Sequence, residues 1–174
     1  MSNQLSHSLE GKLTTREMQL VDLDAVVENE TRAYAFPWSR GIFADCLKSG
    51  YLCRVLLYQG NVIGHLILNT VVDEAHLLNV CVRRERQGAG LGRLLVRHAI
   101  DLCRDAGATQ MFLEVRPSNR KAISLYNSLG FTQIGLRPEY YPGDPVREDA
   151  VVMMLPLDEP VLLELPSQTE LNRH

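Results

Sequence analysis

The stretch from Leu77 to Leu95, LLNVCVRRERQGAGLGRLL, constrains the fold most, because three patterns follow one another within it. An apolar run predicts a buried strand, a charged turn follows, and a glycine-rich loop leads into a helical pattern. The helix start offers unpaired N–H groups and the positive end of the helix dipole. Gly88, Gly90 and Gly92 lack a Cβ, so the loop amides can approach a ligand closely. The sequence therefore predicts an anion site.

The glycine spacing separates this loop from the commoner phosphate-binding loops. A dinucleotide fingerprint that starts at Gly88 and Gly90 needs a third glycine at position 93, which is Arg93. A P-loop ends in Gly-Lys-Ser or Gly-Lys-Thr, whereas this loop ends Gly90-Leu91-Gly92-Arg93. The remaining pattern is Gln87-x-x-Gly90-x-Gly92. A tight strand-to-helix turn without a ligand is the alternative interpretation.

Length and composition favour one domain. The chain has 174 residues, of which 45% are apolar, enough for a single core. We assign residues 1–156 to this domain, residues 1–10 to a loose extension and residues 157–174 to a surface tail. The net charge of −3 argues against direct nucleic-acid binding, and the local basic cluster from Arg83 to Arg93 suits a phosphorylated small ligand better than a duplex.

Cysteine and histidine usage predicts a reduced, metal-free protein. The cysteines show no C-x-x-C spacing and mostly sit in apolar patterns, which is typical of a cytoplasmic protein. His65, His76 and His98 have no ligand spacing, so we assign no metal. The N-terminus lacks an apolar signal segment and no run reaches 18 apolar residues, so we expect neither export nor membrane insertion.

Periodicity along the chain predicts alternating strands and helices. Helices are expected near residues 20–33, 39–50, 91–106 and 119–129, with Asp22, Ser39 and Ser118 or Asn119 as caps. Strands are expected near residues 12–18, 51–58, 62–72, 75–82, 110–116, 131–137 and 146–155, and residues 140–145 are expected to form a loop. This order predicts an α/β fold with a mixed sheet and one parallel crossover.

Two polar stretches meet at the carboxyl ends of the strands in that crossover. The alternation in MFLEVR places Met111, Leu113 and Val115 on one face and Glu114 on the other. A carboxylate in a buried strand pattern is costly unless it is paired, so Glu114 either has a basic partner or serves chemistry. Ligands of such sheets bind beyond the carboxyl ends of parallel strands, where the glycine loop also begins.

Several separated motifs resemble the GCN5-related N-acetyltransferase (GNAT) family. They are the glycine loop, LEVRPSNRKAISLYNSLGF from Leu113 to Phe131, AFPWS, DEAHLLNVCV, YYPGD and REDAVVM. They are similar to the bacterial enzymes that acetylate the N-terminal alanine of a small-subunit ribosomal protein. Cys81 and Pro117 depart from the pattern, since alanine is more usual at both positions. The resemblance implies a mostly antiparallel sheet of about seven strands with helices on both faces.

The resemblance also implies roles for individual residues. Glu114 would be the general base and Tyr126 the general acid. Acetyl-coenzyme A would be held by residues of the strand, the loop and the following helix: Val80, Val82, Gln87, Gly88, Ala89, Gly90, Leu91, Gly92, Arg93 and Asn119. Trp38, Tyr140 and Tyr141 would line the acceptor site. Taken alone, the patterns around Tyr126 and Trp38 favour core residues, and Asn119 is equally compatible with a helix cap.

The chemistry favours an N-terminal amine as acceptor. Neutralising an α-amino group of pKa about 7.7–8.0 at cytosolic pH costs roughly 0.5–1 kcal/mol, whereas a lysine of pKa about 10.4 costs roughly 4 kcal/mol. The neutral amine can attack the thioester directly, so no cysteine nucleophile is needed. The alternatives are a small-molecule amine acetyltransferase and a non-catalytic acyl-coenzyme A binding module.

We expect acidic residues to flank the acceptor channel and to steer basic peptides into it. These residues are Asp73, Glu74, Glu139, Asp144, Glu148 and Asp149.

Overall fold

The computed structural model describes residues 13–158 and arranges them as a seven-stranded sheet with four α-helices. The strands are β1 (Leu13–Glu17), β2 (Leu52–Tyr58), β3 (Asn61–Val71), β4 (Glu74–Val82), β5 (Gln110–Val115), β6 (Thr132–Tyr141) and β7 (Glu148–Pro156). The helices are α1 (Leu23–Ala33), α2 (Arg40–Lys48), α3 (Leu91–Asp105) and α4 (Arg120–Ser128), with short 3-10 turns at Leu20–Asp22 and Arg84–Arg86. The predicted order of strands and helices is confirmed.

The sheet has the order β1-β2-β3-β4-β5-β7-β6. Every neighbouring pair is antiparallel except β4 and β5, which α3 connects as a crossover. The prediction of a mostly antiparallel sheet with one parallel pair is therefore confirmed.

Helices cover both faces of the sheet. On one face, α1 and α2 pack against β2 and β3 through a cluster that includes Val26, Phe43, Val55 and Ile67. On the other face, α3 contributes Leu95, Val96 and other apolar residues to a larger cluster that spans the sheet to β7. Each helix presents one apolar stripe because its apolar residues recur at helical spacing.

Polar side chains cap the N-termini of two helices. The Ser39 hydroxyl accepts the Ile42 N–H at 3.3 Å, and the side-chain oxygen Oδ1 of Asn119 accepts the Ala122 N–H at 3.2 Å, so both predicted caps are confirmed. The predicted cap at Asp22 is wrong, because its side chain makes no capping bond to α1. The Asp22 carboxylate instead accepts two hydrogen bonds from Arg16, at 2.7 and 2.8 Å, together with the Gln19 N–H.

The prediction of a loop over residues 140–145 is also wrong at its start. β6 runs on through Tyr140 and Tyr141, and Tyr141 is still in register with Glu148 of β7. An irregularity between Arg137 and Tyr141, with Glu139 at φ 50°, breaks the ladder, which is why the alternation in the sequence does not show a continuous strand.

The packed core extends one residue beyond the predicted domain end. The Leu157 side chain is buried, and its N–H donates to the Thr109 carbonyl at 2.8 Å. The predicted loose extension (residues 1–10) and the rest of the predicted tail (residues 159–174) lie outside the described residues. Within the described part, no helix combines the length and apolar character needed to cross a bilayer.

Candidate active site

The parallel strands β4 and β5 separate part of the way along their length. They pair from Glu74 and Gln110 only as far as Leu77 and Leu113. β4 then continues to Val82, paired with β3 on its other side, and a register irregularity opposite Ile67 and Leu68 interrupts that pairing near the point of separation. The second half of β4 therefore presents an unpaired edge to a gap in the middle of the sheet.

Two backbone carbonyl groups on this unpaired edge accept hydrogen bonds from side chains. The Tyr34 hydroxyl donates to the Val80 carbonyl, and the Gln87 amide donates to the Val82 carbonyl at 3.0 Å. Because the N–H and C=O of one strand residue point the same way, the N–H groups of Val80 and Val82 face the gap as well. The edge can thus pair with an extended ligand that carries amide groups.

A cavity of about 610 Å³ occupies the gap. It is enclosed by the segment between α1 and α2, the second half of β4, the end of β5, the start of α4 and the end of β6. Six of the predicted site residues line it: Trp38, Val80, Glu114, Asn119, Tyr126 and Tyr141. Val82, Tyr140 and the loop from Gln87 to Arg93 do not line this cavity.

Glu114 lies on the face of β5 that the alternation predicts, opposite the buried Leu113 and Val115. Its carboxylate lies 3.1 Å from the Arg137 guanidinium, so a basic partner on another strand does exist. The Arg137 side chain is 60% exposed and that of Glu114 24% exposed, so the pair is open to solvent. The Tyr140 phenol is a second partner, since its hydrogen bond to Glu114 raises the pKa of Tyr140. The ion pair does not shield the carboxylate from the cavity.

Tyr126 reaches the same cavity from the other face of the sheet. It belongs to α4, and its ring packs edge-on against Phe131 with the centroids 5.7 Å apart. Burial raises the pKa of Tyr126 to about 12, so its hydroxyl remains protonated at neutral pH. The gap between β4 and β5 is what allows groups from opposite faces, Glu114 and Tyr126, to line one space.

The glycine loop continues from the carboxyl end of β4. Gly88 and Gly90 have φ values of 82° and 80°, a left-handed conformation that other residues adopt at a cost. Gly90 is the N-cap of α3, so the first N–H groups of that helix are free for an anion. The Arg93 side chain donates to the Ser128 hydroxyl at 2.6 Å, which ties it to α4.

The predicted acceptor-site residues divide between core and cavity. Trp38 packs against Phe43 with ring centroids 5.4 Å apart and also lines the cavity, so it belongs to the core packing and its acceptor role stays a prediction. Tyr140 and Tyr141 contact each other edge-on at 4.9 Å. Only Tyr141 faces the cavity, and burial raises its pKa.

Arg116 and Tyr34 are among the cavity residues that the sequence did not predict as site residues. Arg116 lies between the rings of Phe36, at 5.1 Å, and Tyr141, at 4.5 Å, and donates to the Pro142 carbonyl at 2.9 Å. Its position two residues after Glu114, on the same strand face, could have indicated it. Tyr34 could not have been found in this way, because its contact with Val80 joins α1 to a strand far along the chain.

The predicted acidic border of the acceptor channel is wrong for Asp73 and Glu74. Asp73 and Glu74 lie at the start of β4, whereas the cavity lies beyond Leu77 on the same strand. Glu148 is engaged by Arg116 and by Ser118, and Asp149 accepts the Glu139 N–H. Sequence proximity to a strand did not reveal which end of the strand carried the charge.

Comparison with known proteins agrees with this geometry. The model of the acetyltransferase (GNAT) family matches residues 17–131. The ribosomal protein bS18-alanine N-acetyltransferase of Escherichia coli (strain K12) is 42% identical over 144 residues, which cover 83% of this chain and 97% of that protein. The enzyme of the same name from Haemophilus influenzae is 36% identical over 138 residues, covering 79% and 94%.

Solved structures give the same result. The crystal structure of the ribosomal-protein-S18-alanine N-acetyltransferase from Escherichia coli superposes with a TM-score of 0.80 and 40% identity, covering 88% of this chain and 99% of that one. Chaetomium thermophilum Naa20 in complex with a bisubstrate analogue superposes with a TM-score of 0.71 and 26% identity, covering 83% and 86%. The chain therefore belongs to the GNAT family and is an N-acetyltransferase that uses acetyl-coenzyme A.

Proposed function

We propose that this enzyme transfers the acetyl group of acetyl-coenzyme A to the N-terminal alanine of a small-subunit ribosomal protein of the bS18 type. The relatives named for that reaction match nearly their whole length to this chain, which supports the same acceptor. The acceptor is a cytoplasmic protein, so we place the enzyme in the cytoplasm.

The coenzyme would lie along the unpaired edge of β4. The Val80 and Val82 amides would pair with the pantetheine arm, which itself carries amide groups and can add to the sheet as a strand does. The diphosphate would lie over Gln87, Gly88, Ala89, Gly90, Leu91, Gly92 and Arg93, where loop amides and the α3 N-terminus supply donors. Asn119, which lines the cavity at the start of α4, would contact the coenzyme between these points.

This placement brings the thioester into the cavity between Glu114 and Tyr126. Glu114 would accept a proton from the incoming ammonium, directly or through water, and the neutral amine would attack the thioester carbon. The C–S bond then breaks, and the departing sulfur takes the Tyr126 proton or a hydrogen bond from it. A protonated Tyr126 is required for this step, and the raised pKa supports it.

The acceptor peptide would enter along Trp38, Tyr140 and Tyr141. Trp38 and Tyr141 both line the cavity, Trp38 from the segment between α1 and α2 and Tyr141 from the end of β6. An alanine at the acceptor terminus needs little space, so its amine can reach Glu114 while the following residues remain near the mouth.

One observation carries this proposal: a carboxylate and a protonated phenol from opposite faces line the same cavity beside the unpaired β4 edge. The test is to incubate the enzyme with acetyl-coenzyme A and a bS18 N-terminal peptide, and to locate the added acetyl group by mass spectrometry. We expect acetylation of the α-amine, none of the same peptide with a blocked N-terminus, and a large loss with Glu114→Gln. Faster acetylation of polyamines or free amino acids in a parallel panel would contradict the proposed acceptor.

A further inference from the structure

Beneath the cavity wall, three potential metal ligands from separate elements converge. They are the Glu30 carboxylate of α1, the His65 imidazole of β3 and the Cys81 thiol of β4, and their ligand atoms all lie within 4.8 Å of one another. The three side chains are almost fully buried, with exposures of 2%, 0% and 2%. His65 and Cys81 are direct partners in the β3–β4 ladder, so the sheet itself holds them side by side.

The His65 ring is only half satisfied by hydrogen bonds. Its Nε2 lies 3.2 Å from Glu30 Oε2 and 3.1 Å from Asn79 Oδ1. Asn79 donates through Nδ2 to Glu30 Oε1, so Asn79 Oδ1 is an acceptor, and both neighbours of Nε2 therefore accept. A single proton on Nε2 is shared in hydrogen bonds with these two oxygens. The other ring nitrogen, Nδ1, is buried without a hydrogen-bond partner.

We propose that this cluster is a binding site for Zn²⁺ or a chemically similar divalent cation. Nitrogen, oxygen and sulfur ligands in one buried group are the donor set that Zn²⁺ prefers. Ligand atoms around a tetrahedral Zn²⁺ with bonds of about 2.0 Å stand about 3.3 Å apart. Glu30 Oε2 and Asn79 Oδ1 already lie at nearly that distance from His65 Nε2, at 3.2 and 3.1 Å. Asn79 Oδ1 or a water molecule would complete the coordination.

Glu30 can bind the ion without leaving its present partners. The Trp38 N–H and the Asn79 amide both donate to Oε1, each at 3.1 Å. Oε2 faces only His65 among the described residues and is free to become the ligand. Glu30 and Asn79 also line the 610 Å³ cavity, which gives a hydrated ion a route of entry.

Binding of the ion displaces one proton from His65 Nε2 and one from the Cys81 thiol. The ion replaces the proton on His65 Nε2, and that proton moves to Nδ1, whose lone pair is unused. The Cys81 S–H bond breaks, a metal–sulfur bond forms, and one proton per ion is released to the buffer. The bound ion would tie α1, β3 and β4 together directly below the cavity.

A cobalt titration of the full-length, chelator-treated protein tests this site. We expect one Co²⁺ per chain with a thiolate-to-cobalt charge-transfer band, displaced by Zn²⁺, and a Zn²⁺-dependent rise in Tm. Cys81→Ala should abolish the band and weaken Zn²⁺ binding by at least about tenfold. Cys103→Ala, at a buried thiol of α3 away from the cluster, should retain both.

Alanine is a small replacement for Cys81, so the variant is expected to fold, and circular dichroism checks this. If Cys81→Ala does not fold, Glu30→Gln takes its place and should weaken Zn²⁺ binding in the same way. No thiolate band in the wild-type protein would overturn the proposal. An equal band in Cys81→Ala would overturn it as well.

Discussion

Replacing Tyr126 with phenylalanine separates a catalytic tyrosine from a core tyrosine. The change keeps the ring, which is 7% exposed and packs against Phe131, and it removes only the hydroxyl. We therefore expect the free energy of unfolding to change by no more than about 0.5 kcal/mol.

Turnover should respond very differently. If the Tyr126 hydroxyl supplies the proton to the departing thiolate, its loss removes one general acid, worth about 10²- to 10⁴-fold in rate. That range corresponds to about 2.7–5.4 kcal/mol of transition-state stabilisation. Coenzyme affinity should stay unchanged, because the ring still fills its site.

The assay is steady-state acetylation of an alanine-starting peptide, with coenzyme binding measured by calorimetry and stability by urea unfolding. Tyr51→Phe is the matched control, because Tyr51 packs against the apolar cluster between α1, α2 and the sheet. This variant should keep full activity. A Tyr126→Phe enzyme within about twofold of the wild-type kcat would refute the acid role and return Tyr126 to the core.

Three further outcomes follow from the structure. kcat/KM should rise with pH through the amine pKa of about 7.7–8.0 and show no decline up to about pH 10, because Tyr126, with its pKa of about 12, stays protonated; a pH–rate profile checks this. Asp22→Asn should cost about 1–2 kcal/mol in urea unfolding at pH 7, since Arg16 hydrogen bonds lower the pKa of Asp22 and Arg16 is 40% exposed. The stabilisation by Asp22 is present above its unfolded pKa and is lost as the pH falls through its folded pKa, so the gap should close below about pH 4. Gly64→Ala should cost about 1–3 kcal/mol in the same assay, because its Cβ would lie 2.9 Å from the Cys81 carbonyl oxygen, whereas Gly41→Ala in α2 meets only Ser39 at 3.7 Å and should not destabilise.

Sequence patterns between residues that are close along the chain predicted most of the fold. The apolar periodicity located the four helices of residues 13–158, polar caps marked the starts of two of them, and the alternation in β5 put Glu114 on the correct face. These features depend on neighbours along the chain, so the sequence shows them directly. The predicted β6 ends too early because the irregular ladder and the positive φ of Glu139 break the alternation that is typical of a strand.

The features that depend on tertiary structure could not be predicted in the same way. The gap between β4 and β5 is set by where their pairing stops, and no residue type marks that point. The Glu30–His65–Asn79 network joins residues of α1, β3 and β4, so the histidine spacing alone gave no reason to group them. The position of Tyr126 in the cavity needed the family motif, because its helix periodicity marks it as a core residue.

A crystal structure with a bisubstrate analogue, in which coenzyme A is joined through its sulfur to the α-amine of an alanine-starting peptide, tests the central claim most directly. The diphosphate should lie on the amides of the loop from Gln87 to Arg93, with the sulfur beside the Tyr126 hydroxyl. The α-nitrogen should lie within a hydrogen bond, or one water, of the Glu114 carboxylate. A diphosphate bound away from this loop, or an α-nitrogen remote from Glu114, would contradict the account.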